Sequence, residues 1–206
     1  PLIIVIKSNF LTSIFQLYIK KKDIRKLKNN FLYYIVFRII RNFLSYDLVL
    51  KVYDFKVYGS INKNKTSYFL LKKCEFGDYH ELNIIKKLSK KNKILFIDCG
   101  CNYGFYSLYT ASLSKENEII SIEASKKTLE EFIKNLNLNS FKNINYFNNA
   151  VSNSIDENII FNESINDWES SQAHNNFELS SELKVKSVTI DSLLEEYSLN
   201  NYLVMF

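Results

Sequence analysis

Short, continuous apolar runs alternate with amphipathic segments in the C-terminal part of the 206-residue chain. The continuous run at residues 94–97 is typical of a strand that is buried on both faces of a sheet. Residues 118–122 are predicted to be a second strand and residues 144–149 the third core strand. Between them, a helical period predicts one helix that ends at Leu113 and another over residues 126–138. This strand–helix alternation predicts an α/β fold with a doubly wound sheet.

The N-terminal third has a different pattern. Residues 9–22 keep a helical period, and Asp23 is predicted to cap a second helix that runs to about Leu44. Residues 48–58 and 67–71 are predicted to be the two strands of a β-hairpin around a polar turn. We therefore divide the chain into a helical N-terminal extension, residues 1–47, and an α/β domain, residues 48–206.

Three further features are predicted near the C-terminus. Residues 159–161 and 185–190 are expected to form an inserted hairpin around a polar loop whose aromatic residue is Trp168. Trp168 is either a platform for a substrate or an anchor that holds the loop down. Asp191 is expected to cap a short helix, and residues 202–206 to begin the fourth strand of the sheet.

Charge divides the chain unevenly. Residues 1–73 contain 15 Lys and Arg but only 3 Asp and Glu, a net charge of +12. Residues 74–206 contain 12 Lys and Arg and 19 Asp and Glu, a net charge of −7. The basic part is either a solvated helix face or a surface that meets nucleic acid, anionic lipid or a phosphorylated carrier. Its apolar run at residues 31–37 is shorter than the roughly 20 residues of a membrane span. The apolar face of this helix either docks onto the α/β domain or lies at a membrane interface.

The cysteines predict no metal site. Cys74, Cys99 and Cys101 lack the spacing of metal ligands, and the latter two are expected to be small buried residues of a tight turn. Free thiols indicate a reducing compartment, so a cytoplasmic location is predicted, with membrane association through the N-terminal helices left open.

The densest candidate chemistry follows the run at residues 94–97. Gly100 and Gly104 are two of only four glycines in the chain, and they separate the predicted strand from the predicted helix. Such glycines allow a tight turn, close approach of a ligand and close helix packing. Asp98 would repel a pyrophosphate, so the spacing favours a cationic ligand without phosphates, such as S-adenosylmethionine.

A second acid supports a nucleoside ligand. Glu123 directly follows the run at 118–122, 25 residues after Asp98. A carboxylate at the tip of the second strand is placed to accept the two hydroxyls of a ribose. An ordinary strand–turn–helix with a solvated Glu is the alternative for these two motifs.

Asp98-Cys-Gly100-Cys-Asn102-Tyr-Gly104 resembles motif I of the class I methyltransferases. Asn102 in place of a middle glycine, followed by Phe-Tyr-Ser, resembles the FkbM family in particular. The resemblance implies a Rossmann-like doubly wound sheet, preceded by N-terminal helices and a β-hairpin, and S-adenosyl-L-methionine as the cofactor. The residues that it implies for cofactor binding are Asp98, Gly100, Asn102, Gly104, Glu123, Ala124, Asn149 and Ala150.

The same resemblance implies an O-methyltransferase that acts on a hydroxyl of a small molecule, sugar or glycan. In the family the fourth strand continues into a Lys-Ile-Asp-x-Glu-Gly segment whose acids face the acceptor. The chain begins at Pro1 and stops at Phe206, before such a segment, so we expect a C-terminally incomplete fragment that is inactive alone. The catalytic residues are therefore not assigned.

The alternative function is a nucleic-acid methyltransferase or a nucleic-acid-binding module that uses the basic N-terminal region. The sequence has no stacking motif and no Asn-Pro-Pro-Tyr-like signature of amine methylation. We therefore do not expect a nucleic-acid partner.

Overall fold

A computed structural model describes residues 2–19, 22–40, 48–59, 70–74, 77–164 and 179–205. The chain separates into two compact units, with the boundary between Tyr79 and His80. The hairpin that the sequence assigns to the second domain lies in the first unit. Within the described ranges, no helix is both long enough and apolar enough to cross a membrane.

The first unit combines helices with a two-stranded sheet. Its elements are α1 (Leu2–Ile19), a 3₁₀ turn (Ile24–Leu27), α2 (Phe31–Ile40), β1 (Leu48–Val52) and β2 (Phe55–Gly59). Phe15 of α1 stacks on Tyr33 of α2, with ring centroids 5.8 Å apart. The Gln16 side chain forms two hydrogen bonds with the backbone of Val49, which fastens α1 to strand β1.

The helix predicted from Asp23 to Leu44 is two separate segments. Asp23 caps only the 3₁₀ turn, because its Oδ1 accepts a hydrogen bond from Arg25 N at 3.0 Å. Asn30 then caps α2, since its Oδ1 accepts from Tyr33 N at 2.9 Å. Two side-chain caps seven residues apart divide the run, and residues 41–47 lie outside the described part.

A hairpin is present, but between different strands from those predicted. The run at 48–58 folds back on itself, so that Val52 pairs with Phe55 across a two-residue turn. Tyr53 takes the left-handed conformation in this turn, with φ 51°, which is uncommon for an aromatic residue. Leu70 and Leu71 are helical and buried rather than extended, and the predicted polar turn at 62–65 lies outside the described residues.

The second unit contains most of the predicted α/β pattern. Its helices are α3 (Tyr79–Ser89), α4 (Phe105–Leu113), α5 (Lys126–Asn137) and α6 (Ile190–Leu194). Its strands are β3 (Ile94–Cys99), β4 (Glu118–Ile122), β5 (Ile144–Phe147), β6 (Ala150–Val151), β7 (Asn158–Ser164), β8 (Leu179–Val188) and β9 (Leu203–Met205).

Four parallel strands form the main sheet, in the order β5-β4-β3-β9. The chain runs outward from β3 to β4 and β5, and it later returns to place β9 on the opposite side of β3. The order therefore reverses at β3, which confirms the doubly wound sheet. In such sheets ligands bind beyond the carboxyl end of the strand where the order reverses.

Both faces of β3 and β4 are covered, as their apolar runs predict, whereas Asn145, Tyr146 and Phe147 of β5 are exposed, so the prediction of a buried third core strand is wrong. Leu95, Ile97, Ile120 and Ile122 form a buried cluster on one face, against partly buried side chains from Val188 to Val204. On β3 the neighbouring residue Phe96 points to the other face, where its ring lies 6.5 Å from that of Tyr106 in α4.

The chain leaves the main sheet earlier than predicted. β5 ends at Phe147, and β6 pairs with β8 in a second sheet of order β6-β8-β7. The antiparallel β7–β8 pair confirms the inserted hairpin with longer strands, whereas Trp168 lies outside the described residues. Thr189, not Asp191, caps α6, because its Oγ1 accepts from Ser192 N.

We predict that Gly104→Ala strongly destabilises the second unit. A Cβ at this position would lie 1.9 Å from Cδ2 of Phe132, whose side chain is fully buried, and φ is +75°. Overpacking and left-handed strain together should lower the free energy of unfolding by about 2–5 kcal/mol. Urea denaturation measures this loss.

Gly100→Ala is the matched control, since Gly100 has φ +76° but no atom within 4 Å of the added Cβ. Only the strain of about 1–2 kcal/mol should remain there. Equal losses in the two variants would show that the contact with Phe132 is not what fixes Gly104.

Candidate functional site

The candidate site is the loop of residues 98–104 at the carboxyl end of β3, where the strand order reverses. Gly100, Asn102 and Gly104 all adopt left-handed backbone conformations, with φ of 76°, 51° and 75°. Glycine tolerates this region, and Asn is among the few other residues that visit it readily. The spacing Gly-x-Asn-x-Gly therefore matches the conformation of the loop residue by residue.

The end of β4 holds one side of the loop. The N–H groups of Gly100 and Cys101 both donate to the carbonyl of Ile122, at 2.8 and 3.0 Å. Gly104 N donates to Cys101 O at 2.7 Å and closes the turn. Because β3 and β4 are neighbours, the loop after β3 and the residues after β4 form one continuous edge.

Helix α5 holds the other side. The Phe132 ring lies against Gly104, and Asn135 Nδ2 donates to Tyr103 O at 3.0 Å. Both side chains are buried. The second glycine of the motif thus allows a helix to approach, which is the packing role predicted for Gly104, although the helix that approaches it is α5.

Glu123 joins these parts. Its Oε2 accepts from Asn102 N and its Oε1 from Ser125 N, both at 2.9 Å. The residue is only 7% exposed. The carboxylate therefore fixes the left-handed Asn102 and also the start of α5, where Ser125 Oγ caps the helix by accepting from Thr128 N.

Asp98 is held from inside the domain. Its Oδ2 accepts from Ser107 N at 3.1 Å and from Ser107 Oγ at 2.5 Å. Ser107 Oγ lies 2.7 Å from Ser121 Oγ, and both serines are fully buried. An ionised Asp98 only accepts, so Ser107 donates to it and Ser121 donates to Ser107. Every hydrogen bond found to Asp98 from the described residues reaches Oδ2, and none reaches Oδ1.

The two carboxylates make this edge electronegative. Burial raises the pKa of Asp98 to about 6, although the hydroxyl and N–H of Ser107 favour its charged form. Burial also raises the pKa of Glu123, which the N–H groups of Ser125 and Asn102 oppose and the charge of Asp98 increases. Within the described chain, neither carboxylate has a cationic partner. The site therefore favours a positively charged ligand.

Two features of the loop favour a ligand there: space beside Gly100 and an unsatisfied hydrogen-bond acceptor on Asn102. A Cβ built on Gly100 meets no atom within 4 Å, so the backbone there borders open space. The Oδ1 atom of Asn102 is buried and accepts no hydrogen bond from the described residues. An orphaned buried acceptor costs about 1–3 kcal/mol, and a donor from a ligand would satisfy it.

The remaining predicted residues lie along the same edge, but in different settings. Ala124 follows Glu123 directly, and its carbonyl accepts from Asn148 Nδ2. Asn149 Nδ2 donates to Lys186 O at 3.1 Å, and Ala150 pairs with Ser187 in the second sheet. Asn149 and Ala150 therefore border the junction of the two sheets rather than continue β5.

Sequence reasoning missed Asn148, Ser107 and Ser121. Asn148 Nδ2 donates to the carbonyls of Glu123 and Ala124, at 2.9 and 3.0 Å, and so ties the end of β5 to the end of β4. Ser107 and Ser121 lie inside an apolar helix and an apolar strand, where a buried hydroxyl signals a partner. The two serines within apolar elements are visible in the sequence, but their bonding partners, Asp98 and each other, are not.

The cysteines beside Gly100 differ from each other. Cys101 is buried as predicted, whereas Cys99 is exposed, so the prediction for Cys99 is wrong. Cys99 is the last residue of β3, where the strand emerges at the carboxyl edge of the sheet. Burial raises the pKa of Cys101, and partial desolvation together with the charge of Asp98 raises the pKa of Cys99, so both thiols stay protonated at neutral pH.

No protein-family model matches the chain, and no curated protein matches it. Solved structures that it partly resembles include a SAM-dependent methyltransferase from Agrobacterium tumefaciens, at 14% identity over 52% of this chain and 33% of that chain, with a TM-score of 0.42. Another is M. jannaschii TYW2 in complex with AdoMet, at 15% identity over 53% and 52%, with a TM-score of 0.39.

A third is NSun6 from Pyrococcus horikoshii with SFG, at 12% identity over 49% of this chain and 34% of that chain, with a TM-score of 0.25. This chain thus spans between a third and about half of the length of these structures. The TM-scores are too low for the likeness to assign a function.

We predict that the contribution of Asp98 to the free energy of unfolding depends on pH. Its folded pKa of about 6 lies above the usual value, so the folded state binds the proton more tightly than the unfolded state does. Its stabilising contribution is present at low pH and is lost as the pH rises through about 6. Relative to Asp98→Asn, the wild-type free energy of unfolding should fall by about 2 kcal/mol between pH 4 and pH 7.

Urea denaturation of both proteins across this range measures the difference, which also includes the change in the pKa of Glu123 when the charge of Asp98 is removed. A constant difference between the two proteins would show that Asp98 has an ordinary pKa.

Proposed function

We propose that the loop of residues 98–104 and Glu123 form an S-adenosylmethionine site, and that the chain is the cofactor-binding part of a methyltransferase. The observation that carries this proposal is the pair of carboxylates, Asp98 and Glu123, beside a buried acceptor of Asn102. Among the described residues, neither carboxylate has a cationic partner and the acceptor has no donor. They lie where the strand order reverses, which is the usual ligand position in this type of sheet.

The charge of the site favours this cofactor over a dinucleotide. A pyrophosphate needs backbone N–H groups that are free to bind it, and negative side chains oppose it. Here the N–H groups of Gly100, Cys101 and Asn102 donate to Ile122 O and Glu123 Oε2. S-adenosylmethionine has a sulfonium and an ammonium group and no phosphate, so it suits an edge with two carboxylates.

The donors and acceptors also fit. The two oxygens of Glu123 accept the N–H groups of Asn102 and Ser125, and the remaining acceptor capacity of the carboxylate is proposed to bind the ribose hydroxyls. Asp98 Oδ1 and Asn102 Oδ1 are acceptors for the ammonium group. Ala124, Ala150 and the carbonyl oxygen of Asn149 are proposed to border the adenine. The cofactor supplies an activated methyl group, and this chain supplies binding and orientation.

The proposed reaction is O-methylation of a hydroxyl on a sugar or glycan, as in the FkbM family. Support for the family is the match of Asp98-Cys-Gly100-Cys-Asn102-Tyr-Gly104 to its loop, now with a left-handed Asn102 bound to the second acid. Support for the acceptor is that resemblance alone, so the cofactor and the acceptor are tested separately.

We predict that Asn102→Gly separates binding from stability. Glycine suits φ 51° and removes the orphaned acceptor, so the free energy of unfolding should stay within about 1 kcal/mol of the wild type. Loss of a hydrogen bond to an ammonium should weaken S-adenosylhomocysteine binding about tenfold. Isothermal titration calorimetry measures the affinity, and denaturation measures the stability.

Asp156→Gly is the matched control, because Asp156 is also left-handed, with φ 59°, but is exposed and lies outside the site. Its affinity should equal that of the wild type. NAD serves as the phosphate-bearing comparison and should release no heat of binding. Tighter binding of NAD than of S-adenosylhomocysteine, or no binding of the latter by the folded chain, would refute the proposed cofactor.

The acceptor is tested by ligand-observed NMR on the chain loaded with S-adenosylhomocysteine. Saturation transfer to oligosaccharides is expected to exceed transfer to ribonucleotides, because the acid-rich edge repels phosphates. Transfer confined to short RNA would replace the glycan acceptor with a nucleic-acid one while leaving the cofactor site intact.

A further inference from the structure

Helix α1 has two apolar faces, and the fold of its own unit uses one of them. Thr12, Phe15 and Ile19 are buried, at a spacing that places them on one side of the helix. Phe10, Ile14 and Leu17 recur at the same spacing on the opposite side, where Phe10 is 64% and Leu17 is 72% exposed. A surface helix normally has one apolar face and one polar face, so this second stripe requires an explanation.

Helix α2 repeats the arrangement. Tyr33 and Phe37 are buried, whereas its other side presents apolar side chains to solvent, namely Phe31, Leu32, Ile35 and Ile39. Phe31 is 79% exposed. The exposed stripes of α1 and α2 thus contain seven large apolar side chains, more than isolated surface residues would explain.

Cations accompany these stripes. Residues 1–47 contain nine Lys and Arg against two Asp and Glu. In the described part of this segment, Lys22, Lys26 and Arg38 are exposed. Asp23, the described acid here, forms an ion pair with Arg25, so it does not offset the exposed cations.

We propose that the exposed apolar stripes of α1 and α2, together with these exposed cations, bind an anionic lipid membrane. The apolar side chains would enter the boundary between headgroups and acyl chains, and the cations would lie among anionic headgroups. With ten residues, α2 is about 15 Å long, so it lies on a membrane rather than crossing it. This inference does not depend on the proposed methyltransferase function.

Charge and side-chain type favour lipid over the other occupants. A second copy docked on the same surface would place two segments of net charge +7 against each other. Nucleic acid would satisfy the cations but would leave aliphatic side chains such as Ile14, Leu17 and Ile39 without a hydrophobic partner. An anionic membrane satisfies both the charge and the apolar area.

The test is cosedimentation of the full chain with two kinds of vesicle, one of phosphatidylcholine and one that also contains phosphatidylserine. The wild type is expected to bind the anionic vesicles at least about tenfold more tightly than the neutral ones. The apolar variant Phe10→Ser, Leu17→Ser, Phe31→Ser should lose about tenfold or more in binding to anionic vesicles. Lys26→Glu, Arg38→Glu should lose the preference for anionic lipid.

The control is Ile84→Ser, Ile155→Ser, Ile160→Ser, which removes three exposed isoleucines of the second unit. It should bind like the wild type, and all variants should keep the wild-type circular dichroism, because the replaced side chains are exposed. Unchanged binding by the apolar variant, or no binding of the wild type to anionic vesicles, would overturn the proposal. Self-association or RNA binding that is lost in the apolar variant, without lipid binding, would identify a second copy or a nucleic acid instead.

Discussion

The loop of the candidate site depends on one buried carboxylate. Glu123 accepts an N–H from the loop and another from the start of α5, so a single side chain connects β3, β4 and the following helix. Burying a carboxylate costs several kcal/mol unless hydrogen bonds replace its water. The N–H groups of Asn102 and Ser125 replace part of that water, so the charged carboxylate can remain buried. The hydrogen bond from Asn102 N also stabilises the left-handed conformation of Asn102.

Asp98 stabilises the same loop by a second route. Ser107 and Ser121 are buried in the apolar layer, and they continue the hydrogen bonds of the carboxylate into the sheet. This arrangement fixes one oxygen of Asp98 and leaves the other without a donor from the described residues. Asp98 and Glu123 thus stabilise the loop and can also bind a ligand, since each keeps lone pairs that the fold does not use.

Local patterns predicted the parts of the structure that local physics decides. The apolar runs of β3 and β4 and the glycine spacing each depend on residues within one element or one turn. Predictions failed where a distant contact decided the outcome. The turn at Tyr53 has no Gly or Asn to indicate it, but the Arg25 guanidinium lies 3.4 Å from the centre of the Tyr53 ring. Likewise, no pattern near Asp98 indicates that a serine nine residues later will bind it, or that Ala150 leaves the main sheet to pair with Ser187.

The energetically unfavourable features of the candidate site lie where a bound ligand would offset them. The site combines like charges at Asp98 and Glu123, a glycine at position 100 beside open space, and a buried acceptor of Asn102 that receives no donor from the described residues. Stability alone does not require these features, because glycine at position 102 would permit the same turn without an orphaned acceptor. Proteins keep such local costs mainly at functional sites. A cationic ligand with N–H donors would offset the charge repulsion and also satisfy the acceptor. Because one ligand would remove both unfavourable terms, we expect binding there.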